Sequence, residues 1–368
     1  MFKEITEGQT KLLVPEKGTF GATKKGGEKK APVFYNPRMK LNRDICCAFV
    51  DALGDITFSD ALAGTGAKGI RVANETKSTV ILNDANKYAV DIIKKNAGLN
   101  GVNVEVFNED ANIFLLSHTA DFIDVDPFGT PVPFLDNSII ASPKNGYLGV
   151  TATDTAPLCG VYPKVCYRKY GAMPLRSEFC HEVGLRILLG YVARTAAKYK
   201  RGISCPLAHS TEHYFRLYVR MSSGKKNADS SLSEMGYVYY CRACLNREYR
   251  KEVLPEKSVC SCGSPFQVSG LLWLGRIKDQ DLLRRVLNKS LCMKNKSASR
   301  LLTKISEEID GPFYYDVHKI AKLLKVDSPP MDDIISKLSD QGYSVSRTHF
   351  CCTGIKTDKT LNLPLLFG

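Results

Sequence analysis

Three aspartates stand where the chain leaves a run of apolar residues: Asp84 in "TVILND", Asp110 in "FNED" and Asp126 in "FIDVDP". In an open sheet, ligands gather beyond the carboxyl ends of the strands. A carboxylate there can hold both hydroxyls of a ribose. Another can accept from an exocyclic amine of a purine. A third can orient an amine and take its proton as it reacts. Packing alone gives no reason for acids at three successive strand ends.

Asp126 opens the turn Asp126-Pro127-Phe128-Gly129. Its carboxylate can accept from an exocyclic NH2, and the neighbouring backbone carbonyl can accept a second hydrogen bond. Together they aim the nitrogen lone pair. Phe128 offers a face for a planar base. The plain alternative is an acidic turn after a buried strand, but an Asp-Pro-aromatic run at this place is more specific than that.

Upstream, "DALAGTGAKGIR" puts Gly64 and Gly66 after the first strand of the alternating region. Glycines let a backbone approach a ligand closely while the next helix presents its N-terminus. A lone glycine turn serves structure as readily as binding. The context of Asp84, about 20 residues on, favours binding. The pocket is rich in acid, which suits a donor without phosphates, S-adenosylmethionine, better than a dinucleotide.

"YYCRACLNREYRKEVLPEKSVCSCGSPF" carries Cys241, Cys244, Cys260 and Cys262. Four thiolates can close a tetrahedral Zn2+ site of structural type. The second pair is C-x-C where a zinc ribbon has C-x2-C, so Cys260 is the irregular ligand.

These side chains need a scaffold. From about residue 56 the pattern alternates strand and helix: "ITFSDAL", "AGTGAKGIRVANE", "TVILND", "ANKYAVDIIKKNAGLN", "VEVF", "DANIFLLS", "DFIDVD" and "YLGVTAT". Such alternation predicts βαβ units and a parallel sheet with helices on both faces. "RSEFCHEVGLRILLGYVARTAAKY" predicts a long helix, and "ISCPLAHS" and "YFRLYVRM" a closing strand pair. The Ser/Gly/Lys stretch "SSGKKNADSS" reads as a linker. It gives one domain over 1–225 and a second, α+β domain over 226–368. The second domain ends in a helix, helix, strand order that suits a winged-helix-like tail.

The chain has 368 residues, 44% hydrophobic, with a net charge of +13. That is ample for two cores. No apolar run is long enough to span a membrane. The N-terminus "MFKEITEGQT" lacks an apolar signal region, so a cytoplasmic location is expected. Thirteen cysteines without such a signal are expected to be reduced. Excess Lys and Arg suits a polyanionic partner. The expected anchor is the run from Lys278 to Lys304, with Arg284 and Arg285; the alternative is the loop "KKGGEKK".

"PVFYNPRMKLNRD", "DALAGTGAKGIR", "DVDPFGTPVPFLD", "VTATDTAPLCG" and "RTHFCCTGIKT" together resemble the archaeal-type tRNA guanine-26 N2-dimethyltransferases. The resemblance implies a class I, Rossmann-like methyltransferase domain, S-adenosylmethionine as donor, and methylation of a tRNA guanine at its exocyclic N2, usually twice. It also implies that Arg43, Arg71, Asp84, Asp110 and Ala111 lie at the cofactor, and that Asp126 is the acid-base residue with Phe128 beside the base. Family members often have Arg where Lys68 stands. Two other readings fit the motifs: an amino-methyltransferase acting on another substrate, and an RNA-binding protein with a vestigial pocket.

Overall fold

The computed structural model describes residues 2–16, 33–251, 259–361 and 363. The basic stretch 21–30 lies outside them. The chain divides into two compact units that interleave along the sequence. Unit 1 holds residues 1–151, 218–222 and 280–302, and unit 2 holds 152–217, 223–279 and 303–368. A single cut between 225 and 226 does not reproduce this division.

Unit 1 begins with a hairpin, β1 (Phe2–Glu7) and β2 (Thr10–Pro15), and continues through α1 (Lys40–Leu53). The expected alternation follows as β3 (Thr57–Asp60), α2 (Ala67–Glu75), β4 (Thr79–Asn83), α3 (Lys87–Asn100), β5 (Glu105–Phe107), α4 (Ala111–Ser117), β6 (Phe122–Val125), α5 (Val132–Ala141) and β7 (Tyr147–Ala152). The strands lie in the order β5-β4-β3-β6-β7, and these pairings are parallel. Residues 218–222, part of β9 (Tyr214–Ser223), lie beside β7 through hydrogen bonds between Met221 and residues Asn145 and Gly146.

The central strands β3 and β6 are almost wholly buried, and their apolar side chains form the core. Phe58, Phe122, Ile123 and Val125 are fully buried. Helices α3 and α4 open on side-chain caps. Asn86 accepts from the backbone of Tyr88 to open α3, and Gly101 closes it in the left-handed region. Asp110 opens α4 by accepting from Asn112 N.

The chain order doubles back at β3. It first builds outward through β4 and β5, then returns to place β6 on the other side of β3. A crevice opens at such a reversal, at the carboxyl ends of the strands. Gly64 follows β3 and Asp126 follows β6, so both stand at its mouth.

Unit 1 also contains α10 (Gln280–Cys292), which packs against α1, and the first part of α11 (Lys296–Glu307). Lys289 Nζ lies 3.0 Å from Asp51, and Arg285 donates to Ala52 O at 3.3 Å.

Unit 2 is organised on the long helix α8 (Cys180–Lys198), most of which is buried. Between β7 and α8 come the short helices α6 (Thr155–Leu158) and α7 (Pro163–Tyr170), and after α8 comes β8 (Arg201–Thr211). The composition of 222–231 suggested a linker. Most of it folds instead as α9 (Lys225–Leu232), and Ser231 Oγ accepts from Ile203 N at 2.8 Å. The strands β10 (Met235–Tyr240), β11 (Arg247–Arg250) and β12 (Gln267–Trp273) form one sheet. The tail α12 (Val317–Leu324), α13 (Met331–Asp340) and β14 (Val345–Arg347) follows the expected order, joined by β13 (Tyr315–Asp316) and β15 (Gly354–Thr357). Buried charge ties this tail to α8. Glu182 pairs with Arg186 at 2.9 Å and Lys356 at 3.1 Å, and Lys356 also reaches Glu308 at 2.8 Å.

Candidate active site

The sharp turn after β3 is held from the next strand. Asp84 accepts from Gly64 N at 2.8 Å with one oxygen and from Asn86 N at 2.9 Å with the other. Gly64 has φ +57°, and a Cβ there would stand 3.1 Å from Phe34 O. Gly66, at φ +74°, starts α2 in the left-handed region. Burial pushes the Asp84 carboxyl above its usual value. Each oxygen of Asp84 has a second lone pair, which is what two ribose hydroxyls need. Asp110 is exposed at the next strand end and Ala111 is buried behind it.

The floor of the crevice is a charged cluster. Asp60 of β3 and Asp124 of β6 are register partners on adjacent strands. Both are buried, and Lys68 from α2 reaches between the strands to Asp124 and to Asp126, the latter at 2.5 Å. Asp126 remains 18% exposed at its side chain. Asn42 of α1 donates to the same Asp126 oxygen at 3.3 Å. Three carboxylates in a shielded site cannot all ionise easily against one ammonium. The Asp60 carboxyl is pushed up to about 7, by burial first, with Lys68 pulling it down and Asp124 and Asp126 pushing it up.

Sequence reasoning missed Asn42, although the residue lies inside the quoted "LNRD". Its side chain is fully buried, its amide NH2 faces Asp126, and its Oδ1 has no hydrogen-bond partner among the described residues. Such a carbonyl is an acceptor waiting for a donor.

Phe128 stands at the rim, 63% exposed, edge-on to Phe34 with ring centroids 3.9 Å apart. Gly129, at φ +79°, turns the chain away from it.

The resemblance expects Arg43 and Arg71 at the cofactor. Both are buried, and their hydrogen bonds go to acids. Arg43 is bidentate to Glu7, at 2.7 and 2.6 Å, and also reaches Asn36 O. Arg71 reaches Asp44 at 2.6 Å and Glu75 at 2.9 Å. Their guanidiniums thus bind the N-terminal hairpin to α1 and α2.

In unit 2 the four predicted cysteines converge at the end of β10. Their sulfurs all lie within 4.8 Å of one another. The Cys241–Cys262 and Cys244–Cys260 pairs are each 3.5 Å apart. A tetrahedron of thiolates at a Zn–S distance of about 2.3 Å spans about 3.8 Å between sulfurs, so the donor set fits the ion. Cys260, the irregular member, is in the cluster.

The basic run expected to hold phosphates is divided in its roles. Lys278, in unit 2, is buried and donates to Ile305 O and Glu308 O. In unit 1, Arg285 and Lys289 serve the α1–α10 contact, and Arg284 pairs with Asp281 on the surface. Lys294, Lys296 and Arg300 are exposed. The loop at 21–30 lies outside the described residues.

No described helix is long and apolar enough to cross a membrane.

Residues 8–364 match the family of N2,N2-dimethylguanosine tRNA methyltransferases. The tRNA (guanine(26)-N(2))-dimethyltransferase of Methanobrevibacter smithii is 40% identical, over 98% of this chain and 95% of its own length. That of Thermococcus kodakarensis is 41% identical, over 96% and 95%. In structure, Trm1 of Pyrococcus horikoshii, solved in complex with S-adenosyl-L-methionine, superposes with a TM-score of 0.87 at 38% identity, covering 99% of this chain and 98% of that one.

Proposed function

The chain belongs to the N2,N2-dimethylguanosine tRNA methyltransferase family, and on that premise we propose how its own residues carry out the reaction. It is an S-adenosylmethionine-dependent tRNA (guanine-N2)-dimethyltransferase, acting on guanine 26 as its relatives' names state. When bound, S-adenosylmethionine supplies a methyl group activated by its sulfonium. Asp84 would take the ribose hydroxyls of that donor, and Asp110 with Ala111 would border its purine. Gly64 and Gly66 would let the backbone come close, and Arg43 and Arg71 would keep the N-terminal hairpin on α1 and α2.

The observation that carries the catalytic assignment is the placement of Asp126. It is fixed through one oxygen by Lys68 and Asn42, yet remains partly exposed next to an exposed Phe128. The guanine amine is a weak nucleophile, because its lone pair is shared with the ring. Asp126 accepts from it, holds the lone pair on line, and takes a proton as the nitrogen gains its new bond to carbon. Phe128 receives the base once it has left its stack. Asn42 Oδ1 is placed to accept from an amine that enters beside Asp126. In unit 2 the four cysteines would hold one structural Zn2+, with no position left for a substrate.

Asp126→Ala should lower kcat by at least ~10²–10⁴-fold while S-adenosylmethionine binding by calorimetry stays near wild type. Mass mapping of methylated guanines in tRNA treated with each protein supplies the product readout. A variant retaining more than a tenth of wild-type kcat would remove Asp126 from the role.

A further inference from the structure

We propose that α7 and the turn before it form a docking surface for tRNA, in which Lys164 and Arg168 meet phosphates while Tyr162 and Tyr167 stack on unpaired bases. This rests on the reading that tRNA is the substrate. Exposed large side chains normally occur singly. Here Val161, Tyr162, Tyr167 and Met173 are 46%, 57%, 61% and 46% exposed within one short stretch. Two of the four are aromatic, and basic residues interleave with them: Lys164, Arg168 and Arg176 are exposed as well.

The pattern follows from the helix. Residues 164, 167 and 168 share one face at spacings of three and four. Cys166 and Tyr170, on the other side, are fully buried. The nearby acids are already matched. Asp154 is held by Lys169 at 2.9 Å and by the Tyr170 hydroxyl at 2.7 Å. Glu178 is held by Arg247 and by the Tyr240 hydroxyl, each at 2.6 Å. What faces solvent is cations and flat rings, the combination that holds unstacked nucleic acid.

The platform is also fixed in place. Arg194 donates to Tyr170 O at 2.5 Å, Gly171 closes α7 in the left-handed region, and the Met173 and Gly270 backbones bond each other at 2.6 and 3.0 Å. A rigid surface loses little freedom on binding.

The test uses full-length protein and a tRNA transcript, with affinity measured by anisotropy at several salt concentrations. Lys164→Glu with Arg168→Glu should weaken binding and lower the salt slope by about two units, one per phosphate. Tyr162→Ala with Tyr167→Ala should raise the tRNA Kd about tenfold or more with little change in slope, and the Tyr→Phe pair should recover it. S-adenosylmethionine affinity should not move in any of them. If the alanine pair does not fold, the charge-reversal pair, whose side chains are exposed, carries the test alone. Unchanged tRNA affinity and slope in variants that still bind S-adenosylmethionine would overturn the surface and leave a protein partner as the occupant of those rings. Wild-type protein that transferred no methyl to tRNA would instead sink the substrate reading, and this surface with it.

Discussion

Lys68→Met keeps the length of a side chain and deletes the charge that three carboxylates share. The lysine side chain is 6% exposed and that of Asp124 is 0% exposed, so water can replace little of what is lost. Removing one partner of a buried pair costs about 3–5 kcal/mol. At about 2–4 °C per kcal/mol for a unit of this size, the melting temperature should fall by roughly 6–20 °C. The loss should depend on pH, and the sign follows from Asp60. Its folded pKa of about 7 lies above the ordinary 3.8, so its neutral form favours the folded state. That contribution is complete below about pH 4 and is gone once pH has risen through about 7. Lys68 is the main influence pulling this carboxyl down, so its removal moves the window upward. The deficit in melting temperature should therefore be smaller at pH 5 than at pH 8. Activity should fall too, because Asp126 loses its firmest anchor. Small misplacements of a reacting group reach about 10²-fold in rate. Scanning calorimetry at the two pH values and methyl-transfer kinetics provide the readouts, with Lys68→Arg recovering most of both. A Lys68→Met protein that melts within about 2 °C of wild type at pH 8 and turns over at near wild-type kcat would refute the reasoning.

Asp84→Ala should raise the Kd for S-adenosylmethionine about tenfold or more, since hydrogen bonds to a charged acceptor contribute roughly 1.5–3 kcal/mol each. Unchanged affinity by calorimetry would move the ribose site elsewhere. Asn42→Ala should lower kcat at least tenfold with little change in melting temperature, because it deletes an acceptor that has no partner among the described residues. A large thermal loss with normal kcat would make Asn42 a packing residue. The purified protein should hold one Zn2+ per chain by elemental analysis, and replacing Cys241 and Cys244 with Ser should remove it and loosen unit 2. Metal-free wild-type protein, prepared without chelator, contradicts the site.

Much of unit 1 could be read from the sequence because its strands and amphipathic helices alternate regularly. The same regularity put Asp84, Asp110 and Asp126 at strand ends, where ligands gather. Glu7 could not be read. It stands 36 residues from Arg43 and 64 from Arg71, and nothing local to "NRD" or "GIR" says that an acid from the N-terminal hairpin will claim both guanidiniums. The direction of Lys68 was hidden for the same reason, since its partners arrive from β6. The stretch 222–231 has a linker's composition, but Ser231 finds buried partners on β8, and tertiary bonding overrides a weak local preference. Charge counting over 278–304 likewise could not tell Lys278, whose ammonium is spent on backbone carbonyls, from Lys296, which faces solvent.

The return of residues 280–302 to unit 1 has a consequence for how the protein is made. A ribosome delivers the chain from its N-terminus at about 5–20 residues per second. When residue 151 emerges, the parallel sheet is already synthesised, but the last piece of its unit ends at residue 302, 302 − 151 = 151 residues later. That is roughly 8–30 s of translation. Throughout that interval the face of α1 that Arg285 and Lys289 will clasp stays bare on the nascent chain. The catalytic unit therefore cannot finish folding before about two-thirds of unit 2 has been translated, and the first half of the chain is the segment a chaperone would meet.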